Sequence, residues 1–183
     1  MRFEINMKTT EQDYLEFNYF HEIESAHGKR ILMKRRISIM VLIALLSSLV
    51  LMLTNWGVYG NVAYLAFVGV YTIIYMLLMK KIVKRSIRNY VNRIKKEDKM
   101  SFNEETSFEF LENTFVEITP ITRIELKYEG IKRVCVVKDR YVYIYSNSAI
   151  AHVLSMPQLR QQVDADAFLT FLSQKCGEME YYK

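Results

Sequence analysis

Hydrophobic and polar positions follow six successive patterns along the chain. Residues 2–8, RFEINMK, alternate and predict a short strand. From about Glu11 to Ser25 the spacing turns helical, with Leu15, Tyr19, Ile23 and Ala26 as the apolar stripe and Thr9 or Thr10 as the cap. Residues 37–79 then contain no Asp, Glu, Lys or Arg at all. Beyond them Val83, Ile87, Tyr90, Val91 and Ile94 recur at helical spacing to about Lys95, opposite a basic face. From about Ser101 the period falls to two. The segments TSFEFLE, TFVEIT, RIELKYE, RVCVVKD, RYVYIYS and AIAHVLS read as six short strands, with turns at Asn113, Asp139 and Ser146–Asn147–Ser148. Tyr141, Tyr143 and Tyr145 fall on one face of their strand, Val142 and Ile144 on the other. A last helix follows Pro157, from about Asp164 to Cys176, with Phe168, Leu169 and Leu172 as its apolar face and Gly177 as its stop.

The uncharged stretch predicts a transmembrane hairpin. Its first span, residues 37–56, holds eleven Ile, Leu or Val side chains, which favour insertion by about 3–7 kcal/mol before polar offsets. The second span, residues 58–79, is weaker, carrying Gly60, Asn61, Gly69 and four tyrosines. The turn from Thr54 to Asn61, with Gly57 and Gly60, is short enough to make the helices antiparallel neighbours. Ser47 and Ser48 on the first span and Tyr64, Tyr71 and Tyr75 on the second are the candidate helix–helix packing residues, the hydroxyls bonding across.

Charge refines this picture. The net charge of +5 is concentrated beside the spans. Residues 80–96 carry eight basic side chains and no acidic one, whereas residues 97–183 carry ten basic and fourteen acidic ones. Lysines and arginines lie before the first span and after the second, and the turn has none. The positive-inside rule then predicts a multi-pass protein of the cell membrane with both termini in the cytosol. The same cations have a second reading, contact with anionic lipids, for which Lys34, Arg35, Arg36, Lys80, Lys81, Lys84, Arg85 and Arg88 are the candidates. The topology rule alone accounts for them and is the preferred reading. The acidic balance of the largest soluble piece argues against nucleic acid.

The expected class is membrane α+β: the hairpin, plus a cytosolic antiparallel β-sheet or partial barrel closed by a C-terminal helix. Four pieces are expected: a strand and amphipathic helix over 1–36, the hairpin over 37–79, a basic juxtamembrane helix over 80–96, and a cytosolic domain over 97–183. Two basic-flanked spans, then strands ending in YEGIKRVCVVKDRYVYIYSNSAIAHVLSMPQL and a closing helix, resemble the YcxB-like family of bacterial membrane proteins. The resemblance covers nearly the whole chain. It is densest from Tyr128 to Leu159, through Tyr128, Ile131, Val134, the tyrosine-rich strand and Pro157; Gln158 stands where a basic residue commonly follows the proline. It implies a C-terminal domain of pleckstrin-homology-like (PH-like) fold, and carries no catalytic residues.

The residues point to no enzyme. There is no nucleophile elbow, phosphate loop or zinc spacing. Cys135 and Cys176 read as free buried thiols, and His21, His27 and His152 form no ligand cluster. No catalytic residue, metal, cofactor or small-molecule substrate is expected. The leading expectation is a membrane-tethered binding or regulatory module. Its partners are membrane lipids and either a protein or further copies of itself. The alternative is a membrane immunity or stress-response protein whose hairpin engages a toxin or another membrane protein. Transport is disfavoured, because two spans without an intramembrane charge offer no polar pathway.

Overall fold

The computed structural model describes residues 3–97, 104–147, 151–176 and 179–183. The turn expected at Ser148 and the stop expected at Gly177 lie outside them. All seven expected strands form, and an eighth follows the last helix. The order is β1 (Phe3–Lys8), α1 (Glu11–Tyr19), a π-helical turn (Phe20–Glu24), α2 (Ala26–Leu53), α3 (Gly57–Lys96), β2 (Glu105–Phe110), β3 (Thr114–Ile118), β4 (Arg123–Lys127), β5 (Arg133–Val137), β6 (Tyr141–Tyr145), β7 (Ala151–Ser155), α4 (Met156–Arg160), α5 (Ala165–Lys175) and β8 (Met179–Tyr182). The chain is α+β and divides into two compact units, Met1–Phe17 with Val91–Lys183, and Asn18–Tyr90.

The first unit corrects the expected boundaries. Residues 1–36 are not a piece of their own, because β1 is the outer strand of a four-stranded antiparallel sheet, β1-β2-β3-β4. It pairs with β2 over its full length, from Phe3 opposite Phe110 to Lys8 opposite Glu105. Alternation puts Phe3, Ile5 and Met7 inside and Glu4, Asn6 and Lys8 outside. The other edge of β1 is occupied by side chains of α4 and the turn after it. Gln162 accepts from the Asn6 N–H at 2.7 Å and donates to its carbonyl at 2.6 Å. Gln158 does the same for Lys8, at 2.9 and 3.1 Å. Two primary amides thus stand in for a neighbouring strand at Asn6 and Lys8.

The second sheet runs β7-β6-β5-β8, and β8 lies parallel to β5. That pairing is reached through α4 and α5, a crossover that the short C-terminal segment does not announce. The β5–β6 turn uses Lys138 and Asp139, both at φ 51°, closed by the Arg140 N–H donating to the Val137 carbonyl at 2.9 Å. One core serves both sheets. It gathers Phe3, Ile5 and Met7 with Phe108, Phe110 and Phe115, with Val142 and Ile144 of β6, and with Phe168, Phe171 and Leu172 of α5. Phe168 meets Phe3 and Phe110 edge-on, at centroid distances of 5.4 and 4.8 Å. Asp164 caps α5 by accepting from the Asp166 and Ala167 N–H groups.

The second unit holds the two helices long and apolar enough to span a membrane. Only 6% of the apolar window of each is buried. The first helix starts eleven residues before the uncharged run and ends at Leu53, so the link is only Thr54–Asn55–Trp56, and Gly57, at φ 68°, opens α3. That backbone conformation suits glycine. Within the uncharged run the less exposed positions include Ile39, Ile43, Ser47 and Val50 of α2 and Asn61, Tyr64, Val68, Thr72, Tyr75 and Met79 of α3. Both series step by three and four. At the base of α2, Ser25 is fully buried and accepts from the Gly28 N–H at 2.9 Å. A Cβ at Gly28 would lie 2.6 Å from the Glu22 carbonyl carbon and closer still to the His21 oxygen, so the turn and α2 touch through bare backbone.

Two measurements follow from the first unit. Residues 97–183 expressed alone lack β1 and expose the faces that Phe3, Ile5 and Met7 cover; they are expected to unfold without cooperativity. Joining residues 1–17 to residues 91–183 through a flexible linker should restore a sharp thermal transition and near-ultraviolet dichroism. In the full chain, Gln158→Ala with Gln162→Ala removes four edge bonds and should cost about 1–4 kcal/mol in chemical denaturation, given roughly 0.5–1.5 kcal/mol per bond with solvent restoring part.

Candidate functional site

Among the concavities of the described residues, one in each unit gathers polar side chains of interest. The first is basic. Lys81, Lys84, Arg85 and Arg88 follow one another at steps of three, one and three, which places them on one face of α3. They line a groove of about 470 Å³ with Asn89 and Tyr19. The Lys84 ammonium lies 5.4 Å from the centroid of the Tyr19 ring, within cation–π range. No carboxyl group is among the lining residues.

Of the eight candidate lipid-contact residues, these four converge. Lys34, Arg35 and Lys80 are exposed and outside the groove. Arg36 lies half-buried on the inner stripe of α2, and its Nε is buried with no partner among the described residues. Tyr19 was expected in an apolar stripe, and its ring instead forms a groove wall. Asn89, four residues after Arg85, was legible only through that spacing.

The packing candidates separate as well. Ser47 is buried and Tyr64 and Tyr75 are half-buried, with Tyr64 edge-on to Trp56 at 5.5 Å. Tyr71 is 60% exposed. Seven residues turn a helix 20° short of two full turns, which carries Tyr71 off the stripe centred between Tyr64 and Met79. Ser48 is exposed, and its hydroxyl donates to the Leu45 carbonyl of its own helix at 2.8 Å rather than across to α3.

The second site lies in the sheet unit and has no counterpart in the sequence reading. A recess of about 460 Å³ brings together β2, β3, β7 and α1. Its polar wall includes Glu104, Thr106, Glu117, Thr119, Thr122 and His152, and Phe17 and Phe108 supply apolar wall. His152 Nδ1 lies 2.7 Å from Glu117 Oε2, and Nε2 is buried without a partner among the described residues. Phe115 packs edge-on against the imidazole at 4.8 Å. Hydroxyls and carboxyl groups outnumber the single imidazole, so the recess suits a ligand that donates hydrogen bonds. Among the described residues no three metal-ligating side chains cluster.

Close to the recess, α1 covers the tyrosine face of β6. Phe17 meets Tyr143 and Tyr145 at centroid distances of 5.2 and 6.1 Å. Asp13 is buried, yet it accepts from the Tyr141 hydroxyl at 2.9 Å, the Thr10 N–H at 2.9 Å and the Thr10 hydroxyl at 2.7 Å. The Asp13 N–H donates back to Thr10 Oγ at 3.1 Å, closing a reciprocal cap. Burial, with the bond to Asp13, pushes the Tyr141 phenol up to about 12. Burial pushes Tyr143 and Tyr145 up too, and the Cys176 thiol up to about 11. Cys135 and Cys176 are both free and buried.

These groups keep their protons in the folded state at pH values where the unfolded chain releases them. Their contribution is therefore intact below about pH 9 and is lost as pH rises through about 9 to 12. The thermal midpoint of the sheet unit should hold steady from pH 7 to 9 and then fall. Tyr141→Phe should cost about 1–3 kcal/mol at pH 7, where its bond to Asp13 is lost, and should make the alkaline fall shallower. Against known proteins, no protein-family model, no curated protein and no solved structure matches this chain.

Proposed function

We propose that this chain is a non-enzymatic, membrane-tethered binding or regulatory module. In this reading α2 and α3 cross the bilayer as a hairpin, both termini lie in the cytosol, and the sheet unit is a PH-like domain held at the cytosolic leaflet. The observation that carries it is the pairing of β1 with β2. These strands lie on either side of the hairpin in sequence, so a hairpin that crosses the bilayer twice returns the chain to the side from which it left. The charge asymmetry supports the same orientation independently, since Lys and Arg flank the outer ends of α2 and α3 and the Thr54–Trp56 link has none. The exposed apolar surface supports insertion: Leu45, Met52, Leu53, Val58, Phe67 and Leu77 are each more than 60% exposed, which water tolerates poorly over so continuous a patch.

Two sheets with a helix packed against their common core support the PH-like reading, and the YcxB-like resemblance belongs to it. The sheet unit presents the recess of β2, β3 and β7 to a protein partner or to a second copy. Tethering supplies effective concentration without adding contacts, so a weak site suffices.

Cysteines introduced singly into a variant lacking Cys135 and Cys176 test this reading. An impermeant maleimide added to intact cells should label Val58→Cys and spare Asp139→Cys; labelling of Asp139→Cys overturns the topology. A photo-crosslinker at Ile121, which is 86% exposed at the recess, should give a discrete adduct that Glu117→Arg abolishes. Monomer alone in both backgrounds would remove the binding role from the recess.

A further inference from the structure

We infer that the groove formed by Tyr19, Lys81, Lys84, Arg85, Arg88 and Asn89 is a binding site for the headgroup of an anionic phospholipid carrying two phosphates. The inference rests on the membrane-spanning reading of the hairpin and deepens it from attachment to selective lipid recognition.

The positive-inside rule asks for cations near the ends of spans and is indifferent to which helix face carries them. Here four of the five cations in residues 80–88 share one concavity. Like charges three and four residues apart on a helix repel one another. Some basic side chains elsewhere have carboxyl partners: Lys8 with Glu105 at 3.1 Å, Lys95 with Glu11 at 2.5 Å, Arg133 with Glu180 at 3.7 Å, and Arg160 with Asp139 at 2.7 Å. Among the described residues none of Lys81, Lys84, Arg85 and Arg88 makes such a pair. Their four charges are left for an anion from outside the chain.

Depth selects the anion. Met79 is the last residue of the uncharged run, and Lys81 and Arg88 stand about 3 and 14 Å further along the helix axis at 1.5 Å per residue. A headgroup layer is roughly 5–8 Å thick on each side of the hydrocarbon. The groove therefore begins among lipid phosphates and continues beyond them. Four cations spread over about 10 Å of axis exceed the charge of one phosphate and suit a headgroup carrying two. Lysines serve the phosphates as point charges, and the arginine forks grip them bidentately. The Asn89 amide and the Tyr19 edge supply neutral contacts to the glycerol or sugar between them. Basic pockets beside spans on the cytoplasmic face hold headgroups of this kind.

The experiment uses the purified full chain in detergent micelles, titrated with cardiolipin and, at twice the concentration to match charge, with phosphatidylglycerol. Bound lipid is counted by native mass spectrometry. Cardiolipin is expected to bind at least 10-fold more tightly than charge-matched phosphatidylglycerol. Lys84→Gln with Arg88→Gln should abolish that preference, whereas Lys29→Gln with Lys34→Gln, an equal charge loss outside the groove, should leave it within about 2-fold. Equal losses in the two variants, or equal binding of the two lipids, overturns the inference. Displacement of cardiolipin by millimolar pyrophosphate identifies a site for free anions and overturns the lipid assignment. A carbonate wash of native membranes separates the two levels: protein released into the supernatant ends the membrane-spanning reading itself, and protein kept in the pellet with no lipid preference ends only this inference.

Discussion

Everything in the sheet unit depends on β1 having a partner on each edge. One edge receives a strand that begins roughly a hundred residues later in sequence, and the other receives two glutamine amides from α4 and the turn beyond it. An open strand edge is a template for pairing with another chain, and Gln158 and Gln162 occupy that edge of β1 at Asn6 and Lys8. With them in place, Phe3, Ile5 and Met7 deliver three large apolar side chains to a core otherwise built from residues beyond Thr106. The two long apolar helices are thus an insertion into a sheet, and a single fold closes over both chain ends of that insertion.

The second organising feature is that β6 is buried on both faces. Val142 and Ile144 fill the core between the sheets, and Tyr141, Tyr143 and Tyr145 are covered by α1. Strands of an antiparallel sheet often leave one face to water. Here the wet face is replaced by a helix that brings a buried carboxyl group, Asp13, and satisfies it with three donors from Thr10 and Tyr141. Aromatic strand positions serve this role well, since each ring gives apolar area and each hydroxyl a polar end. The helix that lids the tyrosines also lends Tyr14 and Phe17 to the recess of β2, β3 and β7, so core closure and recess shape share one element.

Local chemistry was legible in the sequence wherever it was periodic. Alternation located β1 through β7 within a few residues, and the uncharged run located both long helices. What escaped depends on partners distant in sequence. Residues 1–36 carried a correct strand, yet nothing in their spacing says that Phe3 faces Phe110. The C-terminal strand Met179–Tyr182 is four residues long, too short for alternation to stand out. Gln158 was noticed for what it is not, a basic residue after the proline, and its bonds to Lys8 lie 150 residues away. The π-helical turn and the buried Ser25 shift the phase between α1 and α2, so Ala26, expected in one continuous stripe, is exposed. The basic groove was half legible: helical spacing gathered the cations, whereas Tyr19 joins from another helix. The His152–Glu117 recess left no sequence signal, because its walls come from four separate elements.

The double clasp on β1 also imposes an order on biogenesis. A ribosome adding roughly 5–20 residues per second completes β1 first and β2 several seconds afterwards, and Gln158 and Gln162 come later still. Throughout that interval both edges of β1 are empty, while the two most apolar segments of the chain emerge. Loop-closure entropy over such a separation grows only slowly with length, so the final pairing is not prohibitive, but it is slow and non-local. Newly made β1 is therefore a bare strand with three apolar side chains on one face, and the seconds before β2 emerges are when a chaperone has most to protect.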